Sequence, residues 1–128
     1  MTRLIVHSAR ISYGGPDRLD VTRKGAWLAW KAGKGETIGG AFAPSWPLLK
    51  AAKAGKLAFD EYDPRYLAEM RESYVRHRWA WDDLLARPRV VLVCYCTDPE
   101  HCHRFLLRTR ILPALGAVDG GELLQEAA

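Results

Sequence analysis

A single α/β domain over residues 1–128, with a mostly parallel sheet flanked by helices in a Rossmann-like, three-layer arrangement, is the fold this sequence predicts. Three observations predict it. Strand-like apolar runs alternate with helix-like segments along the chain. The run 'RVVLVCYC' is continuous and β-branched, the pattern of a central strand covered on both faces. Directly after it, 'TDPEHCHRFLLRTRILPALG' opens with helix-starting residues, the order of a strand feeding a helix.

The elements follow in order. Leu4–Val6 is a short β-type run, and 'YGGPD' after it marks a turn, because Gly supplies positive φ and Pro fixes its own. 'LDVTRKG' reads as a brief second strand. Residues 31–46 hold four glycines and Pro44 and read as a loop, long enough in a small domain to be functional. Ser45 is placed to cap a short helix, with Pro47 in its first turn and Gly55 past its end. Asp63 then reads as the N-cap and Pro64 as the first residue of a longer helix. Leu67, Met70, Tyr74, Trp81, Leu84 and Leu85 form its single apolar stripe, which Pro88 closes after Ala86. The central strand is expected over Val90–Cys96. The next helix is expected to open with Asp98 as N-cap, Pro99 and Glu100, to bury Cys102, Phe105, Leu106 and Thr109, and to stop at Pro113 and Gly116. The tail 'AVDGGELLQEAA' adds a short strand or a frayed helix.

Composition narrows the class. With 48% hydrophobic and 27% charged residues the chain is expected to be a soluble globular protein. Its longest apolar stretch is too short to span a bilayer, and its first ten residues carry no secretory pattern. Three cysteines, an odd number in a chain that is not cysteine-dense, point to a reduced, cytoplasmic protein without membrane partners. A net charge of +4 permits an anionic partner, and five tryptophans and five tyrosines allow stacking on bases, although most are expected in the core.

Chemistry concentrates in 'VVLVCYCTDPEHCHRFLLR'. The segment lies where ligands bind in parallel sheets, beyond the carboxyl end of a strand. Cys94, Cys96, Cys102 and His103 or His101 make a Cys₃His donor set of the kind zinc takes, though without the paired C-x₂-C spacing of common zinc modules. 'HCHRFLLR' fits the pattern H-C-x5-R with Cys102 as nucleophile and Arg108 as clamp. Its intervening residues are bulky and read as helical, unlike a phosphate cradle. A thiol near a helix N-terminus, with His103 or His101 as acid/base and Arg104 and Arg108 on one face, would handle an anion. Simple burial competes with each of these, since free cysteine is among the most buried residue types.

At 'LVCYCTDPEHCHRFLL' the chain resembles the Domain of Unknown Function 488 family, small α/β proteins of prokaryotes and phages. In that family an apolar strand, a Cys, a short polar turn and Cys-His-Arg at a helix start correspond to Cys94, Cys102, His103 and Arg104. 'DVTRKG', 'FAPSWPLL' and 'YLAEMRE' resemble the family's Arg-bearing strand, its loop and its long helix. The family often carries an acidic residue at the position of Cys96, so the resemblance favours a Cys/His/Arg site over a Cys₃His zinc site. The family's name carries no activity, so the resemblance supplies a fold and a site without naming a reaction; the leading expectation for that site is an enzyme-like pocket for a phosphate-bearing substrate, a nucleotide or nucleic acid. Cys94, Cys102 and His103 would be catalytic, while Arg104, Arg23, Ser45 and Arg10 would bind substrate or anion. No resident cofactor is expected. The alternative is a non-catalytic module binding nucleic acid or protein, its cluster structural or holding zinc through Cys94, Cys96, Cys102 and His103.

Overall fold

In the computed structural model, which describes residues 3–95 and 102–123, four strands form one all-parallel sheet. β1 (Ile5–Arg10), β2 (Arg18–Asp20), β3 (Arg89–Cys94) and β4 (Val118–Glu122) lie in the order β2-β3-β1-β4. β3 is an inner strand, in register with β1 from Ile5 opposite Arg89 to Arg10 opposite Cys94. Val90 through Cys94 are all buried, as their unbroken apolar run requires. The α/β class read from the sequence is the one observed.

Around the sheet lie α1 (Arg23–Lys31), a 3₁₀ turn (Gly39–Phe42), α2 (Trp46–Lys53), α3 (Phe59–Arg76) and α4 (Arg78–Leu85). After β3, α5 (His103–Leu106) runs through a π turn (Leu107–Ile111) into α6 (Leu112–Ala114). The main core joins Val6, Leu92 and Cys94 of the sheet to Tyr66, Trp81 and Leu107 of the helices. On the opposite sheet face, Ala9, Val91 and Val93 are covered by Ile11, Tyr13 and Leu123. No helix among the described residues is long and apolar enough to cross a membrane.

Three local differences from the sequence reading have physical causes. The second strand expected in 'LDVTRKG' holds only its Leu19 and Asp20, and a helix starts at Arg23, because Asp20 accepts bonds from the Thr22 N–H (2.8 Å) and hydroxyl (2.6 Å), and Thr22 Oγ1 accepts from the Gly25 N–H. Gly39 then lies hard against the end of β2, where a Cβ would strike the Asp20 carbonyl oxygen. α3 starts at Phe59, ahead of Asp63 and Pro64, with Asp60 and Glu61 facing its positive end. The expected single stripe is split at His77 (φ −119°, ψ 38°), which ends α3 and precedes α4. Both helices bury the same apolar side, so the period runs through the break. Trp81 packs edge-on to Phe42 at 4.7 Å and to Tyr74 at 5.4 Å, and its indole N–H donates to Ser73 Oγ.

Third, Cys102 has extended backbone (φ −149°, ψ 154°) and caps a helix that starts at His103, so it does not sit on a helical stripe. Asp98, Pro99 and Glu100, together with Cys96 and His101, lie outside the described residues. β4 forms within the tail, as one of the two expectations for it held.

Candidate functional site

The carboxyl ends of all four strands converge on the two described cysteines. Cys94 is the last residue of β3, and Cys102 is the N-cap of α5. Both are buried, with their sulfurs 2.7 Å apart. His103 Nε2–H donates to the Val21 carbonyl, just past β2, at 2.9 Å. A carbonyl only accepts, which fixes the tautomer: the Nδ1 lone pair is left 3.7 Å from Cys102 Sγ. From α5, Arg104 donates through Nη1 to Cys94 Sγ at 2.9 Å, with Cys102 Sγ at 3.9 Å from the same nitrogen. Its other edge forms a two-pronged pair with Glu122 of β4, Nε–Oε1 at 3.2 Å and Nη2–Oε2 at 2.8 Å. Ser8 of β1 donates its hydroxyl to Glu122 Oε1 at 2.5 Å.

These groups are taken out of water. The Arg104 side chain has 0% exposure and Glu122 15%, so the ion pair is buried on one side and nearly so on the other. Burial works against the charge of Arg104, but the Glu122 carboxylate and Cys94 outweigh it and hold its pKa above the ordinary arginine value. His103 goes the other way. Burial penalises its imidazolium, only partly offset by Cys94 and the Val21 carbonyl, so it stays neutral below its ordinary value of 6.5. Tyr66 packs its ring 5.6 Å from that of His103 and donates to the Phe42 carbonyl at 2.6 Å. Burial drives its pKa well up, so it remains a neutral donor bracing the imidazole.

Glu122 reaches the site through an irregularity in β4. Val6 pairs with Asp119 but His7 pairs with Gly121, so Gly120 is the extra residue of a bulge. Gly121 adopts φ 91°, and a Cβ on Gly120 would meet the His7 ring at 2.6 Å. The bulge restores register with Ser8 opposite Glu122. Sequence reasoning did not single out Glu122. The signal was present as Gly-Gly immediately before an acid in a short strand-like segment.

Residues 28–114 match the family model described as the active DUF488-N3 subclade. The chain belongs to the DUF488 family. The matched span holds Ser45 and the Cys94–Arg104 motif, and it ends before Glu122. No curated protein and no solved structure matches the chain.

Not every predicted residue of this DUF488 chain joins the cluster. Arg10 lies in register with Cys94 and, two residues beyond Ser8, on the sheet face of that serine; its side chain is exposed. Arg23 is instead spent on backbone, donating to the carbonyls of Pro44 (3.0 Å), Ala43 (3.0 Å) and Gly40 (3.3 Å). Ser45 caps α2 through Leu48 N, as expected, and gives both its N–H and hydroxyl to the Glu69 carboxylate. Arg23 and Ser45 line a cavity of about 540 Å³ whose wall includes none of Cys94, Cys102, His103 and Arg104. Arg108 turns away as well, pairing with Asp119 at 2.7 Å. The H-C-x5-R reading therefore fails twice: its intervening residues His103–Leu106 are helical, as read, and its clamp is engaged elsewhere. Arg104 and Arg108 are buried rather than a solvated face.

Cys94 Sγ, Cys102 Sγ and a His103 ring nitrogen lie within 4.8 Å of one another, close enough for one metal ion. Nδ1 is the available His103 ligand, with Nε2–H oriented by a carbonyl as metal-bound histidines commonly are. Thiolate and imidazole together would suit zinc.

Proposed function

We propose that this DUF488 chain is an enzyme that uses a thiolate of the Cys94–Cys102 pair on a phosphate-bearing substrate, a nucleotide or nucleic acid. The observation that carries the reading is the guanidinium of Arg104, fully buried and 2.9 Å from Cys94 Sγ. A fixed cation beside a buried sulfur favours thiolate over thiol, and the thiolate is the nucleophile. His103 supplies the base: its neutral ring turns Nδ1 toward Cys102, where it accepts the thiol proton. Arg104 acts on the sulfurs rather than as the substrate's anion clamp, because it is fully buried and all three of its nitrogens are engaged, Nε and Nη2 by Glu122 and Nη1 by Cys94. Of the arginines proposed to bind anion, Arg10 is the one exposed at the strand ends next to the cluster.

A bound metal is the second reading, supported by the three-donor group. Charge favours the first: the ion would approach a sulfur already facing a guanidinium.

Ultraviolet thiolate absorbance measured against pH in a Cys96→Ser background tests the proposal. It should report a thiolate already formed below the ordinary cysteine range of about 8.5, and Arg104→Met should abolish that step. If both sulfurs ionise only above that range in the parent protein, the thiol-enzyme reading is wrong.

A further inference from the structure

A cavity stands apart from the thiol cluster. Its volume is about 540 Å³, and its walls come from α1, the 3₁₀ turn, the start of α2, α3 and α4. Trp27, Trp30, Trp46 and Trp79 all line it, each more than 40% exposed and Trp30 68%. A protein does not ordinarily leave four of its five tryptophans on one exposed concavity without a partner for them. The fifth, Trp81, is buried, bonded and packed between rings. None of the four lining indoles packs against another ring among the described residues, and Trp27 alone is faced by a cation, Lys31 at 5.0 Å.

Charge selects the occupant. All six lysines of the chain fall between Lys24 and Lys56, the segment that forms α1 and α2 and three of the four tryptophan positions, and all six are exposed. Arg23 adds a seventh positive charge, and Glu36 is the segment's single acid. The two acids of the opposite wall are already engaged, Glu69 by Ser45 and Glu72 by Arg76. The wall itself carries Arg23, Arg76, Glu36, Glu69 and Glu72, and the lysines lie outside it, with Lys31 over the Trp27 ring at 5.0 Å; flat apolar faces on this lysine-rich segment fit a polymer that alternates planar bases with phosphates.

We infer that this cavity binds single-stranded nucleic acid, its unstacked bases against the tryptophans and its phosphates along the lysines. This names a surface apart from the thiols; it narrows the substrate class proposed for them to a single strand, but binding here does not depend on their chemistry.

The test titrates the full-length protein with a fluorescently labelled oligothymidylate, reading anisotropy and tryptophan quenching, beside the same sequence as RNA and as a duplex. Single strands should bind and quench. Trp30→Ala, at an exposed position, should weaken binding roughly 5- to 100-fold. Lys31→Gln with Lys34→Gln should lower the salt slope by about 1.4, from about 0.7 per phosphate. Arg110→Gln, the loss of a charge outside this cavity, should leave binding unchanged. A preference between the DNA and RNA strands would identify the polymer. Absence of single-strand binding at low salt, equal binding by Trp30→Ala, or tighter binding of the duplex overturns the inference. Quenching by tetramethylammonium without any by the oligonucleotide also overturns it, in favour of an organic cation.

Discussion

Replacing Glu122 separates the two jobs that the buried ion pair performs. Glu122→Ala leaves the guanidinium of Arg104 at 0% exposure without its carboxylate, facing Cys94 Sγ at 2.9 Å and Cys102 Sγ at 3.9 Å, and it removes the acceptor of Ser8 Oγ. Breaking a buried pair by deleting one member costs about 3–5 kcal/mol. Because Glu122 keeps 15% exposure, water can enter, and the lower end, about 3 kcal/mol, is expected. For a chain of this length that is a melting-temperature loss of roughly 10–15 °C. Glu122→Gln keeps an acceptor and should lose less, about 1.5–3 kcal/mol. The thiols provide the second readout. Without the carboxylate, the guanidinium's charge falls more fully on the sulfurs, so Glu122→Gln should shift thiolate formation to lower pH while it destabilises the fold. Arg104→Met should shift it to higher pH while also destabilising. Melting followed by circular dichroism, with thiolate absorbance in the Cys96→Ser background, reads both. A Glu122→Gln protein that melts within about 1 °C of the parent, or thiolate shifts of the same sign in both variants, would refute the argument.

Three further outcomes follow from the same geometry. His103 is held neutral below its ordinary value of 6.5, so between the folded value and 6.5 the unfolded chain binds a proton that the folded one does not. Stability contributed by this group should therefore be full above 6.5 and decline as pH falls through that window, by up to about 1.4 kcal/mol per pH unit; urea midpoints of the parent and His103→Asn at several pH values check it, and a parallel pair of curves counts against it. Zinc should be less than stoichiometric in protein purified without chelator, and Arg104→Met should raise zinc affinity by removing the cation at Cys94, as metal release measured with a chromophoric chelator will show. Gly120→Ala should cost about 1–3 kcal/mol by overpacking against His7 and should disturb the thiolate titration by misaligning Glu122, both read in the assays above.

The parts of this protein that were legible in its sequence are those governed by local rules. β3 declared itself because every residue from Val90 to Cys94 is buried, so the apolar run has no gaps. Ser45 and Pro47 marked the start of α2 because capping depends only on neighbouring backbone. Cys94, Cys102, His103 and Arg104 were found together because they lie on two adjacent elements. What failed was settled at longer range or by a single residue. The break at His77 leaves the apolar period intact, and the Asp20–Thr22–Gly25 cap converts an Arg-bearing strand into a helix start with three short bonds. Arg23 and Ser45 were expected at the thiols, but their backbone and Glu69 partners lie 17 or more residues away and nothing local encodes them. Glu122 sits 18 residues from Arg104 and 114 from Ser8, and it reaches them by a bulge that only the sheet register defines.

That bulge also bears on why an ion pair occupies the core at all. Removing a carboxylate and a guanidinium from water costs several kcal/mol per ion, and a well-packed apolar pair of similar volume is often as stable or more so. Stability alone therefore does not account for Arg104 and Glu122. Geometry does. Two prongs to Glu122 fix the plane of the guanidinium, which leaves Nη1 with one direction to point, toward Cys94 at 2.9 Å and Cys102 at 3.9 Å. A lysine could not be held in that way, since a single ammonium lacks the flat, two-edged fork. Arg104→Lys is thus expected to retain the charge yet lose its orientation, which places the thiolate titration between those of the parent and Arg104→Met. A Lys variant that titrates like the parent would mean that charge alone suffices and that the prongs to Glu122 are dispensable.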